Sequence, residues 1–250
     1  MLALVAGIGA TWGLVSSDVF AAHHVVVAGI TWTPETSVLE ALGVPDGANV
    51  FTLRTGTLEQ QVAALPSVRS STVTVALPDE VRVTVSERSA LVAWKVGDRR
   101  FLVDADGLLF GELGTDPPKA AAALPVIDDA RLSSMALEVG STLDPVTLDA
   151  ALRLGSLTPA DVGSGARALV LRVDDTNGFA MRTRPAAWTA IFGFYTPTLR
   201  TTELIPGQVR LLSSLLAGRE AKVQRVILAD DHSGTYIPRA TPEPTRKPKG

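Results

Sequence analysis

The chain has 250 residues, a formal net charge of −3 and no cysteine, with 46% hydrophobic and 20% charged residues. This composition supplies a packed core and excludes wholesale disorder, and the weak negative charge excludes a general nucleic-acid binder, which needs a basic stripe. Without cysteine there are no disulfides, zinc–thiolate sites or cysteine nucleophiles, but the compartment stays open, because exported proteins also do without disulfides.

Residues 1–17, "MLALVAGIGATWGLVSS", contain no charged side chain, and the first Lys or Arg is Arg54. As a helix this run spans about 25 Å, slightly under the ~30 Å hydrocarbon core, and it reads as a transmembrane anchor helped by snorkelling or local thinning. A cleaved signal peptide ending near 19–22 would lack its positive n-region. Glycines 7, 9 and 13 come near a dinucleotide-binding fingerprint, but the last is one residue late and no acid-tipped strand follows. Gly9 and Gly13 form G-x-x-x-G, a spacing that lets membrane helices approach closely.

The β-branched run 25–30 predicts a strand. A short helix follows, with Ser37 and Glu40 spaced as a capping box and an end near Gly43. A second helix has Thr57 and Gln60 as its box and Pro66 as its stop. A hairpin then places Val73, Val75, Leu77, Val81, Val83 and Val85 on a packed face and Thr72, Thr74, Arg82 and Thr84 on a wet one, with Pro78 in a type I turn. Strand, helix, helix, strand, strand describes a small α+β domain with two helices over one face of a three-stranded sheet.

From residue 89 the pattern changes to three short strands with turns at 97–98 and 104–107, then a loop over 114–123. Asp144-Pro145 starts a helix to about Leu154. A hairpin turns through Asn177-Gly178 and is extended by "WTAIFGF". The amphipathic segment 201–218 puts Val209, Leu212, Leu215 and Leu216 on one stripe, and a strand over 222–229 closes the fold. Residues 239–250 hold three prolines and a net positive charge and read as a solvated tail.

The chemistry-bearing residues lead away from an enzyme. Adjacent His23 and His24 in a strand point to opposite faces, so they make no metal pair. Asp104–Gly107 lacks the later acids of a calcium loop. Glu87-Arg88 marks a domain junction, Asp230-Asp231 a solvated turn, and no G-x-S-x-G occurs. Catalytic, cofactor-binding and metal-binding residues are therefore not assigned. The candidate site is the last strand, with Val223, Arg225, Val226, Ile227 and Leu228. At a sheet edge its unpaired N–H and C=O groups would take a partner segment by β-augmentation, with Tyr236 just beyond as an aromatic anchor. The alternative, an interior strand, stays open until the strand order is known.

"FAAHHVVVAG", "SVLEALGVPDGANVFTL", "LPSVRSSTVTVALPDEVRVTVSER" and "FLVDADGLLF" follow in an order and spacing that resembles the FtsQ/DivIB cell-division family, and "WTAIFG…IPGQVRLLSSLLAG…VQRVILAD" is similar to the end of that family's β domain. The resemblance implies an α+β protein: a transmembrane helix (1–17), a β-α-α-β-β POTRA domain (18–88) and a β-rich α+β domain with a C-terminal edge strand (89–238), to which composition adds the disordered tail (239–250). It further implies a single-pass cell-membrane protein, its bulk extracytoplasmic at the septum, and a non-enzymatic divisome scaffold without cofactors that helps control septal wall synthesis. The implied partners are FtsB/FtsL (DivIC/FtsL)-type coiled-coil division proteins. Two features depart from the family. Family members usually carry a basic cytoplasmic tail before the span, which this sequence does not show, so the positive-inside rule does not orient it, and Val226 stands nearest to the place of the family's last-strand aromatic. The alternative function is a POTRA-bearing docking module of protein export or outer-membrane assembly, a class marked by tandem POTRA units or a membrane barrel. A secreted enzyme is a third reading, disfavoured by the missing constellation.

Overall fold

The computed structural model describes residues 18–240. The expected anchor 1–17, with Gly9 and Gly13, and residues 241–250 of the expected tail lie outside them. No helix among the described residues is long and apolar enough to cross a membrane. The chain divides into two compact units, one running to Ser89 and taking in Thr115–Ala122, the other comprising Ala90–Gly114 and the chain from Ala123 onward.

The first unit contains β1 (His24–Ala28), α1 (Glu35–Leu42), α2 (Thr55–Ala63), β2 (Val68–Ala76) and β3 (Glu80–Glu87). The sheet order is β1-β3-β2, with β1 parallel and β2 antiparallel to β3. Val38, Leu42, Leu58 and Val62 of the helices pack with Val73, Val81, Val83 and Val85 of the strands, so both helices cover one face. Gly29 has φ +85, and a Cβ there would lie 2.1 Å from the Val85 carbonyl oxygen, which restricts the end of β1 to glycine. Glu87 ties the following loop to β3, its carboxylate accepting the backbone N–H groups of Thr31 at 2.6 Å, Trp32 at 3.0 Å and Thr33 at 2.7 Å.

Local details differ from expectation. Neither capping box forms. Extended Pro34 is the N-cap of α1, its carbonyl accepting from Ser37 N–H, and Arg54 is the N-cap of α2, accepting from Thr57 N–H. Both helices thus start two residues before the predicted boxes, because a backbone carbonyl closes the first turn in place of a side-chain oxygen. Leu77 is not on the packed face: it is 61% exposed at the hairpin tip, where Leu77–Pro78 is a cis peptide and not part of the expected type I turn.

The second unit is one nine-stranded sheet with helices. Its strands are β4 (Val92–Val96), β5 (Arg99–Val103), β6 (Leu109–Glu112), β7 (Val126–Asp129), β8 (Ala168–Asp174), β9 (Gly178–Arg184), β10 (Thr189–Gly193), β11 (Val223–Leu228) and β12 (Gly234–Pro238). Their order is β12-β11-β10-β9-β8-β7-β4-β5-β6. Helices α3 (Pro145–Gly155) and α4 (Ile205–Leu216) bury Leu148, Leu154, Leu212 and Leu216 with Ile127, Leu171, Met181, Phe192 and Val226 of the sheet. Asp144 caps α3 as predicted, accepting Thr147 N–H at 2.8 Å. The sequence did not foretell β7 and β12, and the expected loop 114–123 includes a 3-10 turn at Lys119–Ala123.

The unforeseen β7 lies inside the sheet, parallel to both β4 and β8. Its two aspartates are satisfied on opposite faces. Asp128 pairs with Arg172 at 2.7 Å and Lys95 at 3.4 Å. Buried Asp129 accepts from Trp94 Nε1 at 2.9 Å, Ser134 Oγ at 2.6 Å and Arg131 Nη2 at 2.7 Å. Burial alone would raise the Asp129 pKa, but the bonds from Arg131 and Ser134 outweigh it and hold the carboxyl below its ordinary value.

This lowered pKa gives a stability contribution that is complete above the unfolded carboxylate value near ~4 and is lost as pH falls through the lower folded value. Asp129→Asn keeps the shape but removes the titration. Urea unfolding followed from pH 7 down to about 3 should therefore show a shallower loss of stability in the variant than in the parent chain.

Candidate partner-docking edge

The C-terminal ends of parallel β10 and β11 leave carbonyls that the ladder does not use, and two side chains meet them. Arg200 donates through Nη2 to Phe192 O and, at 2.7 Å, to Leu228 O, and through Nη1 to Ala229 O. Gln208, fully buried on α4, donates Nε2 to Phe192 O at 3.3 Å and accepts the Tyr195 hydroxyl at 2.7 Å. Burial pushes the Tyr195 phenol up, so it remains a donor at neutral pH. Arg200 Nε is buried without a hydrogen-bond partner among the described residues, a cost that the guanidinium's carbonyl bonds offset.

This knot sets where the chain turns back after β11. Asp230 Oδ1 accepts the backbone N–H groups of His232 at 2.7 Å and Ser233 at 2.5 Å, and these bonds hold its carboxyl below the ordinary value. The expected solvated turn at Asp230-Asp231 is thus an Asx-type turn. Asp230, Asp231 and His232 come close together, with Asp230 Oδ1 held by the turn's amides and His232 Nδ1 lying 2.8 Å from Asp231 Oδ1. A Cβ on Gly207 would sit 2.2 Å from Asp231 Cβ, and one on Gly234 would sit 3.1 Å from Leu211 Cδ2, so the first turn of α4 abuts the turn and its later residues abut the start of β12.

The strand beyond the turn moves the sheet edge. β11 lies between β10, to which it is parallel, and β12, to which it is antiparallel, so the expected edge at 223–228 is interior. Val223, Val226 and Leu228 are buried in the core and present no side chain to a partner. Arg225 and Ile227 face away from the helices, Arg225 in one row with Thr189 and Ile237, Ile227 in one row with Ile191 and Thr235. Tyr236 is on β12 itself, opposite Val226, with Arg219 Cζ 5.7 Å from its ring centre. The candidate residues therefore divide between the core, the open face and the true edge. The missed signal was "GTYIP", a five-residue run with a β-branched and aromatic centre and a proline where an edge tolerates one.

The register fixes which groups are free. Ala229 N–H donates to Ser233 O at 2.8 Å, a pair of the hydrogen-bonded kind. Alternation along an antiparallel ladder then directs Thr235 and Ile237 to β11, and turns the N–H and C=O of Gly234 and Tyr236 outward. No described strand lies beyond them. On two of the other edge strands, single positions are covered. On β6, Leu109 N–H donates to Ser141 O and Leu109 O accepts Gly140 N–H, each at 2.8 Å. On β2, the outward N–H of Val73 is taken by Glu59 Oε1 at 2.8 Å.

A cleft of about 510 Å³ near the starts of β10 and β11 is lined by Arg167, Pro185, Ala187 and Glu220. Burial would raise the Glu220 pKa, but bonds from Ser164, the Gly165 N–H and Trp188 Nε1 hold it below the ordinary value. That carboxylate is a fastener committed to three donors, poorly placed to act as a base.

Residues 20–88 match the POTRA domain of the FtsQ type. The chain is 30% identical over 179 residues to the cell division protein FtsQ of Mycobacteroides abscessus, covering 70% of this chain and 54% of that protein. It is 32% identical to FtsQ of Mycobacterium leprae, over 65% of this chain and 44% of that protein, and 29% identical to FtsQ of Mycobacterium tuberculosis, over 64% and 50%. It thus spans about half the length of these curated relatives. The resemblance to the FtsQ/DivIB family is borne out, as is a mixed α+β architecture of a POTRA domain and a β-rich domain.

Replacing Arg200 with alanine should strand the Ala229 carbonyl, leave those of Phe192 and Leu228 with only the longer Gln208 bonds, and cost roughly 2–3 kcal/mol in urea unfolding. Arg200→Lys should recover less than half of that, because an ammonium is one point charge and not a planar fork.

Proposed function

We propose that this chain, a relative of the FtsQ/DivIB proteins, is a cell-division scaffold of the septum that joins early and late septum components through protein contacts. In this reading residues 1–17 anchor it in the cell membrane as a single span, and the rest, with the POTRA domain at 18–88 and the β-rich domain at 89–238, lies outside the cytoplasm. The relatives' designation as cell division proteins favours this over an export or outer-membrane assembly module.

The observation that carries the reading is the open edge of β12. A segment from an FtsB/FtsL (DivIC/FtsL)-type pair adds to Gly234 and Tyr236 as a tenth strand, its backbone supplying affinity. Ile237 and Thr235 present side chains on the open face of that edge, backed by Arg225 and Ile227, while the Tyr236 ring stands on the helix side. Val223, Val226 and Leu228 support the edge from within the core. Pro238 lacks an N–H and ends the docking register.

Adjacent positions separate docking from folding. Tyr236→Pro removes an outward N–H and leaves the β11 ladder whole, so binding to a purified FtsB/FtsL-like pair should fall more than tenfold, about 1.4 kcal/mol, with little change in unfolding midpoint. Ile237→Pro removes a ladder bond and should lower the midpoint as well. Tyr236→Ala keeps the N–H and should retain more affinity than the proline variant. Undiminished binding by folded Tyr236→Pro would contradict the edge as the docking site.

A further inference from the structure

Two turns of the first unit are hydrogen-bonded to the segment through which the chain enters it, and each carries an apolar residue at its tip. Val50 N–H donates to Phe20 O at 2.9 Å and Ala22 N–H to Ala48 O at 2.8 Å, which fixes the turn at 49–52 beside the entry. Asn49 shapes that turn: its Oδ1 accepts Phe51 N–H at 3.0 Å, and its backbone carbonyl accepts the Thr52 hydroxyl at 2.8 Å. The Phe51 ring stands edge-on to Phe20 at 5.0 Å between centres and is still 50% exposed. On the other side, His23 N–H and His24 N–H donate to Asp79 O at 3.1 and 3.3 Å, which holds the β2–β3 hairpin tip, with exposed Leu77, against the same segment.

Five large hydrophobic residues are exposed among the described residues up to Ser89: Val19, Val26, Leu39, Phe51 and Leu77. Three of them, Val19, Phe51 and Leu77, gather on or beside this entry segment. Scattered single exposures need no explanation, but a cluster on one end does. The uncharged run 1–17 ends one residue before Asp18. Asp18–Phe20 form a 3-10 turn, which rises about 6 Å over three residues. If the membrane span ends near residue 17, the Phe20–Phe51 pair lies within about 10 Å of the hydrocarbon boundary, the depth of a headgroup layer roughly 5–8 Å thick and its margin. Arg54, exposed three residues after Phe51 at the N-cap of α2, supplies a cation shortly after that turn.

We infer that this end of the POTRA domain is a lipid-contact surface, in which Phe51, with Val19 and Leu77, seats against the headgroup and upper acyl region and thereby limits the tilt of the domain on its anchor. The inference rests on the reading of residues 1–17 as a membrane anchor. Its ligand is a phospholipid surface and not a protein, because Val19 and the Phe51 tip lie on or against the first residues after the chain's own apolar run and the Leu77 tip is held a few residues further along the same segment.

The absence of native cysteine makes single thiols unique labels. Phe51→Cys, Leu77→Cys and, as a control, Arg69→Cys are introduced into the full chain. Arg69 is exposed and eight residues along β2 from Leu77, about 26 Å away. Each is labelled with a nitrobenzoxadiazole fluorophore and reconstituted into phosphatidylcholine–phosphatidylglycerol vesicles containing headgroup-proximal nitroxide lipid. The inference predicts at least twofold stronger quenching at 51 than at 69, with 77 between them or equal to 51. Quenching at 51 and 77 no stronger than at 69, in protein that still floats with the vesicles after carbonate washing, overturns the lipid contact, leaves the anchor standing and points to a protein partner. Failure to float overturns the anchor and the inference with it.

Discussion

Two parallel strands that end side by side must dispose of their last carbonyls, and the solution to that constraint shapes the C-terminal third of this protein. Arg200 reaches Phe192, Leu228 and Ala229 from one planar group, and Gln208 adds a donor from α4. A single-point donor would leave part of this set unmet. With the strand ends tied to α4, the chain has one compact way back, through the Asp230 turn, and Gly207 and Gly234 allow the close approach it requires. β12 is therefore not a loosely appended ribbon. It is an edge whose position is set by polar bonds at its start and by helix packing beneath it.

A fixed, unpaired edge is an aggregation hazard unless it has a use. Ladder groups on two other edge strands are covered: Glu59 takes the outward Val73 N–H of β2, and 140–142 runs along the start of β6. β12 is left open and is short, and Pro238 limits how far a foreign strand can extend. That pattern supports selective docking over nonspecific pairing, and it agrees with the proposed scaffold role, in which carboxylates such as Glu220, Glu87 and Asp129 serve as fasteners.

Much of this was legible in the sequence because the local signals agree with the tertiary outcome. Alternating valines gave the β2–β3 hairpin, Asp144-Pro145 gave the start of α3, and the 209–216 stripe gave α4. Two strands escaped. A strand with parallel neighbours on both sides ordinarily reads as an unbroken apolar run. β7 instead ends in Asp128-Asp129, polar groups whose partners Arg172 and Trp94 come from other parts of the chain. β12 escaped because an exposed edge needs no hydrophobic face, so periodicity has nothing to register. The capping boxes misled for a related reason: a side-chain spacing predicts a cap only where the backbone does not close the turn first. The candidate site was accordingly one strand short of the true edge, although Tyr236, named as an anchor beyond it, lies on that edge.

The central claim is that the outward amides of β12 receive the partner. Residue-resolved hydrogen exchange tests it most directly. In the free chain the amides of Gly234 and Tyr236 should exchange fast and those of Thr235 and Ile237 slowly, as the ladder alternation requires. On addition of an FtsB/FtsL-like pair, Gly234 and Tyr236 should become protected by at least an order of magnitude. Protection that appears on β1, β2 or β6 while Gly234 and Tyr236 stay fast would contradict the account.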